Sequence, residues 1–263
     1  THAYCQTGQE DSKFGFSLSS GKAMEAAKAA IDSDVLELKG IHCHIGSQIF
    51  EEESFIVAAN IMMDFIAQIF KATGFIIEEL NLGGGFGIYY SQGDTPKNIE
   101  IYADKITEAV SAHAAGTGIK APKIIVEPGR SIVGAAGTTL YTLGAAKDIP
   151  GIRKYVSVDG GMADNIRPAL YGAVYEAIVA NKANAKPTEL VSVAGKCCES
   201  GDMLIWDIEL PRVTPGDILA VFSTGAYHYT MSSNYNMLPR PAVVFVKDGK
   251  AKLMVKRQTY EDL

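Results

Sequence analysis

The sequence predicts a two-part protein in which an α/β part is followed by an all-β part. Up to about residue 130, short apolar strand segments alternate with long helical segments, which is the pattern of parallel βαβ units. After about residue 135 the helical segments thin out, and short strands are separated by Gly, Pro and Asp. With 47% hydrophobic and 21% charged residues, the 263-residue chain can bury a sizeable core. We therefore expect two domains, 1–135 and 136–263.

The first part contains four predicted strands and three predicted helices. The strands lie near Phe14–Phe16, Leu36–Ile45, Glu79–Leu82 and Lys123–Glu127. The helices are Gly21–Ser33, capped by Ser19 or Ser20, then Ser54–Thr73, ended by Gly74, and Asn98–Ala115, ended by Gly116. His113 continues the apolar spacing of the third helix, so we expect it to pack at the edge of the buried face. Four strands suffice for a small open sheet, whereas a closed βα barrel needs eight.

The second part contains seven predicted strands and two clear turns. The strands are Thr138–Leu143, Tyr155–Asp159, Leu190–Ala194, Met203–Leu210, Ile218–Phe222, Ala242–Val246 and Lys252–Arg257. The Pro-Gly pair inside Thr214–Asp217 indicates a tight turn. Asp248-Gly249, between the last two strands, indicates a hairpin.

Charge and cysteine usage exclude several classes of protein. The net charge of -6 argues against a nucleic-acid or anionic-membrane partner. We find no apolar run near the roughly 20 residues of a membrane span, and no signal peptide before Thr1. The four cysteines (Cys5, Cys43, Cys197 and Cys198) show neither a disulfide framework nor zinc spacing. We therefore expect a cytoplasmic protein.

The motif GIHCHIGSQ (Gly40–Gln48) ends the second predicted strand. His42 and His44 share one face of the strand, but no third ligand lies at a recognisable spacing, so we predict no metal site. The flat ring of His44 and the hydroxyl of Ser47 could instead contact a ligand that carries an anionic group. The alternative for His44 is a hydrogen-bonded histidine of the core.

Two further motifs end the next two strands. In NLGGGFG (Asn81–Gly87), three consecutive glycines allow a backbone cradle for a phosphate, although the dinucleotide pattern GxGxxG is absent. In KIIVEPGR (Lys123–Arg130), an apolar strand is followed by Glu127, the Pro128-Gly129 turn and Arg130. Phosphate donors, a flat ring and a lone carboxylate suit pyridoxal phosphate, whose electron-sink chemistry depends on a protonated ring nitrogen. The alternatives are a structural turn and a strand that ends in two solvated charges.

Six motifs together carry a family resemblance. In order they are GIHCHIGSQ, LNLGGGFG, VEPGR, DNIRPALYG (Asp164–Gly172), CESGD (Cys198–Asp202) and GAYHYTMSSNYN (Gly225–Asn236). They resemble the diaminopimelate decarboxylases, a family of the alanine-racemase-like, fold type III pyridoxal-phosphate enzymes, over the whole chain. The resemblance implies that 1–135 is the second half of a pyridoxal-phosphate-binding TIM (β/α)8 barrel. It implies that 136–263 is a Greek-key-like β-barrel or sandwich.

The resemblance implies cofactor contacts for the matching residues. His44, also counted as catalytic, would stack on the cofactor ring, and Glu127 would pair with the ring nitrogen. The phosphate would be bound by Ser47, Gly84, Gly85, Gly129 and Arg130, and Pro128 would also contact the cofactor. Tyr227 would touch both cofactor and substrate.

The resemblance also implies substrate contacts and a homodimer. Arg167 and Tyr171 would hold the carboxylate that is not removed, Glu199 would bind the distant amino group, and Arg130 would lie near the substrate. Cys198 would donate a proton to the carbanion carbon. In this family the cysteine and the glutamate are delivered across a dimer interface, so the active sites would be shared. The alternative without a functional role is that Glu199 and Asp202 lie in a solvated turn.

The implied activity is decarboxylation of meso-2,6-diaminopimelate to L-lysine and CO2, the last step of lysine biosynthesis. The family's covalent cofactor lysine lies upstream of these motifs and has no counterpart here, so we expect this portion alone to be inactive. Lys196 replaces the family's usual proline before the catalytic cysteine. Alternatives are a decarboxylase of another basic amino acid or carboxynorspermidine, a barrel glycosidase using Glu127, and a non-catalytic paralogue.

Overall fold

The computed structural model describes residues 12–263, so the predictions that involve residues 1–11, including Cys5, lie outside the described residues. The described chain divides into two compact units. The first unit ends at Ser131, and the second begins at Ile132 and also includes the segment Tyr89–Asp94. The domain boundary at residue 135 stays a prediction.

The first unit is built around a parallel sheet of three strands. They are β1 (Gly40–His42), β2 (Glu79–Asn81) and β3 (Lys123–Ile125), in the order β1-β2-β3. The prediction of a strand at Phe14–Phe16 is wrong. Gly15 has a φ of 65°, a left-handed conformation that a strand does not contain, and both phenylalanines are exposed.

Three helices complete the first unit: α1 (Lys22–Ile31), α2 (Glu52–Thr73) and α3 (Ile99–Thr117). A short fourth helix, α4 (Gly129–Val133), begins in the first unit and ends just after the boundary at Ser131. Gly21 rather than Ser19 or Ser20 precedes α1, and Gly74 ends α2 as predicted. The Asn98 side chain caps α3, but the helix ends at Gly118 instead of Gly116. Gly118 adopts the left-handed φ of 71° at which its N–H bonds to the Ala114 carbonyl, which is a common way for a helix to end.

Aromatic rings form the centre of the first unit's core. Phe55 of α2 stacks on Phe86 at 4.6 Å, and Tyr102 of α3 meets both rings edge-on. His113 is half-buried, with Nε2 3.3 Å from an Asp64 carboxylate oxygen on α2, which confirms the expected place at the edge of the helix face. By length and composition alone, α2 would suffice to cross a membrane, but it contributes eight buried residues to the protein. It is a core helix.

The second unit is dominated by a six-stranded mixed sheet in the order β6-β9-β4-β5-β7-β8. Its strands are β4 (Thr139–Ile149), β5 (Arg153–Val158), β6 (Ala177–Val179), β7 (Glu189–Ala194), β8 (Met203–Leu210) and β9 (Ile218–Val221). The long strand β4 pairs with β9 through its first residues and with β5 through its last. A hairpin of β10 (Val243–Lys247) and β11 (Lys250–Val255) follows, and α5 (Arg167–Tyr171) precedes β6. The sequence did not predict β6 or α5, both of which are very short.

Candidate functional site

The parallel register of the first unit brings the three strand-end motifs side by side. Just beyond the end of β1, the Cys43 N–H donates at 2.9 Å to the carbonyl of Asn81, the last residue of β2. The Glu127 N–H donates to the Gly83 carbonyl at 2.8 Å, which joins the second motif to the third. The carboxyl ends of parallel strands are where α/β folds place ligands, so this is the candidate cofactor site.

Glu127 projects from the end of β3 with its side chain about half exposed. Asn81 on β2 donates from Nδ2 to Glu127 Oε1 at 2.8 Å, and the Asn81 carbonyl oxygen Oδ1 accepts from the Gly83 N–H, also at 2.8 Å. His42 Nε2 lies 3.6 Å from the same carboxylate oxygen. Asn81 therefore ties the glutamate to the glycine loop. Its place at a strand end was the signal for this role, which the sequence analysis missed.

The His44 ring is held by the glycine loop. Nδ1 accepts a hydrogen bond from the Gly84 N–H at 3.3 Å, which places the proton of a neutral ring on Nε2. Burial lowers the pKa of His44, the nearby His42 lowers it further, and the Glu127 charge opposes both. A neutral, oriented ring suits stacking on a flat ligand. The Gly84 N–H, expected to bind phosphate, is directed to His44.

Ser47 and Arg130 meet although 83 positions separate them. The Arg130 guanidinium donates from Nη2 to the Ser47 hydroxyl oxygen at 2.6 Å. Arg130 lies in α4, which follows directly from the Pro128-Gly129 turn. The structure thus brings together a cation and a hydroxyl, a pair that can bind a phosphate.

The glycine loop leaves no room for side chains. A Cβ on Gly83 would lie 2.7 Å from the Cys43 carbonyl oxygen, and one on Gly84 would collide with the Glu127 carbonyl oxygen. Gly85, with a φ of 105°, would meet the Gly46 carbonyl in the same way. The loop is a backbone cradle beside a cation, a hydroxyl and a carboxylate. This donor set fits pyridoxal phosphate.

A matched pair of glycine variants tests this packing. Gly84→Ala is expected to lower the free energy of unfolding by about 1–3 kcal/mol, because its methyl group meets rigid backbone. Gly116→Ala, within α3 and with open space around it, should be neutral or raise stability by up to about 1 kcal/mol. Denaturant titration of both variants gives the comparison. Equal effects would contradict the tight fit.

In the second unit, Arg167 is buried at the start of α5, with 9% of its surface exposed. Its Nη1 donates to the Tyr175 hydroxyl at 2.5 Å, and the guanidinium lies 4.9 Å from the Tyr90 ring centre. Within residues 12–263, no carboxylate forms an ion pair with it. A buried cation without a counter-ion is unfavourable, so this is a candidate site for an anionic ligand.

His228 is buried near Arg167 and is held neutral. Burial and then the Arg167 charge lower the pKa of His228 to about 4. Thr139 donates its hydroxyl proton to Thr224 at 2.9 Å, so its oxygen can accept from His228 Nε2 at 3.2 Å.

The burial of His228 predicts acid sensitivity. Its pKa is about 4 when folded and 6.5 in the reference state, so between these values the unfolded chain binds the extra proton. The stabilisation present above pH 6.5 is therefore lost as the pH falls to about 4, by an amount of order 3 kcal/mol. Denaturant titration across this window should show the slope, and His228→Gln should remove it. An unchanged slope in the variant would refute the assignment.

Cys198 and Glu199 are exposed on the loop between β7 and β8. The buried Asp202 carboxylate accepts from the N–H groups of Met162 at 2.6 Å and Cys197 at 2.7 Å. The solvated-turn alternative is therefore wrong for Asp202. Burial raises the pKa of the neighbouring Cys197 thiol to about 11, which keeps that thiol protonated.

The last two predicted site residues also lie in the second unit. Tyr171 is half-buried at the end of α5, whereas Tyr227 is about half exposed with a φ of 57°. In the motif that contains Tyr227, Asn236 accepts from the Cys198 N–H at 2.7 Å. Asn236 was not predicted as a site residue, because its partner is distant in sequence. Tyr90 and Tyr175 around Arg167 were not predicted either.

The strand-end site has the donor set of a pyridoxal-phosphate-binding protein, and comparison with known proteins agrees with this class. Residues 1–134 match the family described as pyridoxal-dependent decarboxylase, pyridoxal binding domain. The chain belongs to this family, whose cofactor is pyridoxal phosphate.

Several proteins named diaminopimelate decarboxylase are similar to this chain. Those of Bacillus subtilis and Staphylococcus aureus are 56% and 52% identical over the whole chain, which spans 60% and 62% of their lengths. The crystal structure of the M. jannaschii enzyme in complex with L-lysine matches with a TM-score of 0.88 and 38% identity. That match covers 96% of this chain and 57% of the other. The crystal structure of the Helicobacter pylori enzyme in complex with L-lysine matches with a TM-score of 0.87 and 33% identity. That match covers 100% of this chain and 62% of the other.

Proposed function

We propose that the full-length protein decarboxylates meso-2,6-diaminopimelate to L-lysine and CO2 with pyridoxal phosphate. The observation that carries the choice of substrate is the buried Arg167, which no carboxylate of the described residues neutralises. A substrate that keeps a second carboxylate after decarboxylation would supply the missing anion. The identity to diaminopimelate decarboxylases supports the same assignment.

The cofactor would be held by residues of the first unit. Bound pyridoxal phosphate supplies an electron sink for the electrons left when CO2 departs. Glu127, held by Asn81, would keep a proton on the ring nitrogen. Arg130 and Ser47, with the amides of Gly85 and Gly129, would bind the phosphate, Pro128 would contact the cofactor, and His44, whose Nδ1 accepts from the Gly84 N–H, would stack on the ring.

The substrate would be held by residues of the second unit, with Arg130 nearby. Arg167 and Tyr171 would bind the retained carboxylate, since a guanidinium can bind it through two parallel hydrogen bonds. Glu199 would bind the distant amino group, and Tyr227 would contact both substrate and cofactor. Cys198 Sγ–H would then give its proton to the carbon that lost CO2.

We also propose the finer architecture that the family resemblance implies. The first unit would be the second half of a (β/α)8 barrel, and the mixed sheet would be a β-barrel or sandwich domain. Two copies would form a cytoplasmic homodimer, with Cys198 and Glu199 of each serving the other's site.

The test is turnover by the full-length protein supplied with pyridoxal phosphate. With meso-diaminopimelate, one CO2 and one L-lysine should form per substrate consumed, whereas L-lysine and L-ornithine should release little CO2. Comparable rates with L-ornithine would favour a related decarboxylase of basic amino acids. Bound cofactor without turnover of any of the three would favour a non-catalytic paralogue.

A further inference from the structure

Arg167 differs from three partly buried cations of the second unit that pair with a carboxylate. Arg153 pairs with Asp207, Lys154 pairs with Glu189 at 2.8 Å, and Lys182 pairs with Asp217 at 2.5 Å. Arg167 is more buried than these and has two tyrosines where the others have a carboxylate. Its positive charge is therefore not paired with a carboxylate of residues 12–263.

The two tyrosines hold the guanidinium from two directions. It lies 4.9 Å from the Tyr90 ring centre and 5.6 Å from that of Tyr175, within the range of cation–π attraction. The rings are perpendicular, with centres 5.4 Å apart, and both are buried. The Tyr175 hydroxyl also accepts from Arg167 Nη1. Together these contacts define an aromatic clamp, Tyr90 and Tyr175, around one cation.

Neighbouring hydrogen bonds fix the clamp in place. The Tyr89 hydroxyl donates to the Glu176 carboxylate at 2.6 Å, beside the contact between the Tyr90 and Tyr175 rings. Two adjacent residues of each segment therefore contact two adjacent residues of the other. Ser223 donates to the Tyr89 carbonyl at 3.0 Å. The segment itself is turned by the Asp94 carboxylate, which accepts from the Tyr90 N–H at 2.9 Å. Three hydrogen bonds thus fix the segment that carries the Tyr90 ring.

We propose that Tyr90 and Tyr175 are positioning residues that set the specificity for a second carboxylate by holding Arg167 ready to bind it. The inference rests on the proposed function, because it takes Arg167 as the partner of the retained carboxylate. Aromatic faces stabilise a buried cation without cancelling its charge. A guanidinium held in one orientation also loses less conformational entropy when it binds. Neutral His228 adds no competing charge nearby.

The test compares two ligands that differ only in the retained carboxylate. L-lysine carries it and cadaverine lacks it, so their dissociation constants for the full-length holoenzyme, measured by calorimetry, isolate its recognition. Tyr175→Phe and Tyr90→Leu should each raise the dissociation constant for L-lysine about tenfold and leave that for cadaverine unchanged. Tyr90→Phe, which keeps the ring face, should retain the preference, as should Tyr260→Phe on the exposed C-terminal turn.

The outcomes separate the clamp from the proposed function. If Arg167→Met removes the preference for L-lysine but the clamp variants keep it, the clamp is refuted and the function stands. Equal weakening of both ligands by Tyr175→Phe would show a merely structural role and refute the clamp. If the wild-type protein does not prefer L-lysine, both the role of Arg167 and the clamp are wrong. Tyr175→Phe removes only one hydroxyl group and keeps the ring, so this variant still tests the clamp if Tyr90→Leu does not fold.

Discussion

Glu127→Gln is expected to lower decarboxylation by at least about 10²-fold while the cofactor stays bound. The amide has the shape of the carboxylate and keeps an oxygen for Asn81, but it carries no charge to hold a proton on the ring nitrogen. The proposed phosphate contacts of Ser47 and Arg130 are untouched. Turnover and cofactor content of the purified full-length variant are the two measurements.

Glu79→Gln is the matched control for this experiment. Glu79 lies at the other end of the same sheet, where it pairs with Lys123 at 3.4 Å. The same chemical change there should leave both turnover and cofactor content at the wild-type level. Near-normal turnover of Glu127→Gln would refute its pairing with the ring nitrogen.

Cys198→Ala is expected to reduce product formation by about 10²–10⁴-fold, the usual contribution of a positioned proton donor. A mixture with Glu127→Gln then tests whether the sites are shared. If Cys198 serves the neighbouring subunit, each mixed dimer has one doubly defective site and one intact site. Random mixing makes about half the dimers mixed, so about a quarter of the wild-type activity should return.

The same mixture can contradict the shared site. If each subunit used its own Cys198, both sites of every mixed dimer would carry one defect, and no activity would return. Mixed dimers isolated through two different affinity tags make this outcome decisive. Cys197→Ala, at the neighbouring thiol, is the matched control and should leave most of the activity.

Regular elements were predictable where the pattern is local. Met203–Leu210 was predicted with the bounds that β8 has, and Asp248-Gly249 forms the hairpin turn with φ values of 51° and 71°. The strand at Phe14–Phe16 failed because Gly15 adopts a left-handed conformation that no residue pattern announced. The length of α3 was wrong for a related reason. Two glycines were available to end it, and Gly118 is the one that adopts the left-handed conformation.

In the candidate site, too, some residues were predictable from local motifs and others were not. The strand-end motifs indicated which residues of the first unit should converge, and the structure places Glu127, His44 and the Ser47–Arg130 pair beside the glycine loop. Their supports were not predictable. In the sequence, Asn81 could equally face solvent, whereas in the structure it donates to Glu127. Asp202 has the sequence context of a surface turn, but it accepts hydrogen bonds from the N–H groups of Met162 and Cys197.

The sequence by itself determined the alternation of strands and helices, the motifs and hence the family, because each depends on residues close together in the chain. Only the tertiary structure decided that Arg167 is buried, that no carboxylate of residues 12–263 pairs with it, and that Tyr90 and Tyr175 lie against it. The physical reason is that the state of a buried charge depends on every group around it. Tyr175 lies eight residues from Arg167, but Tyr90 is distant in the chain, and only folding brings it to the guanidinium.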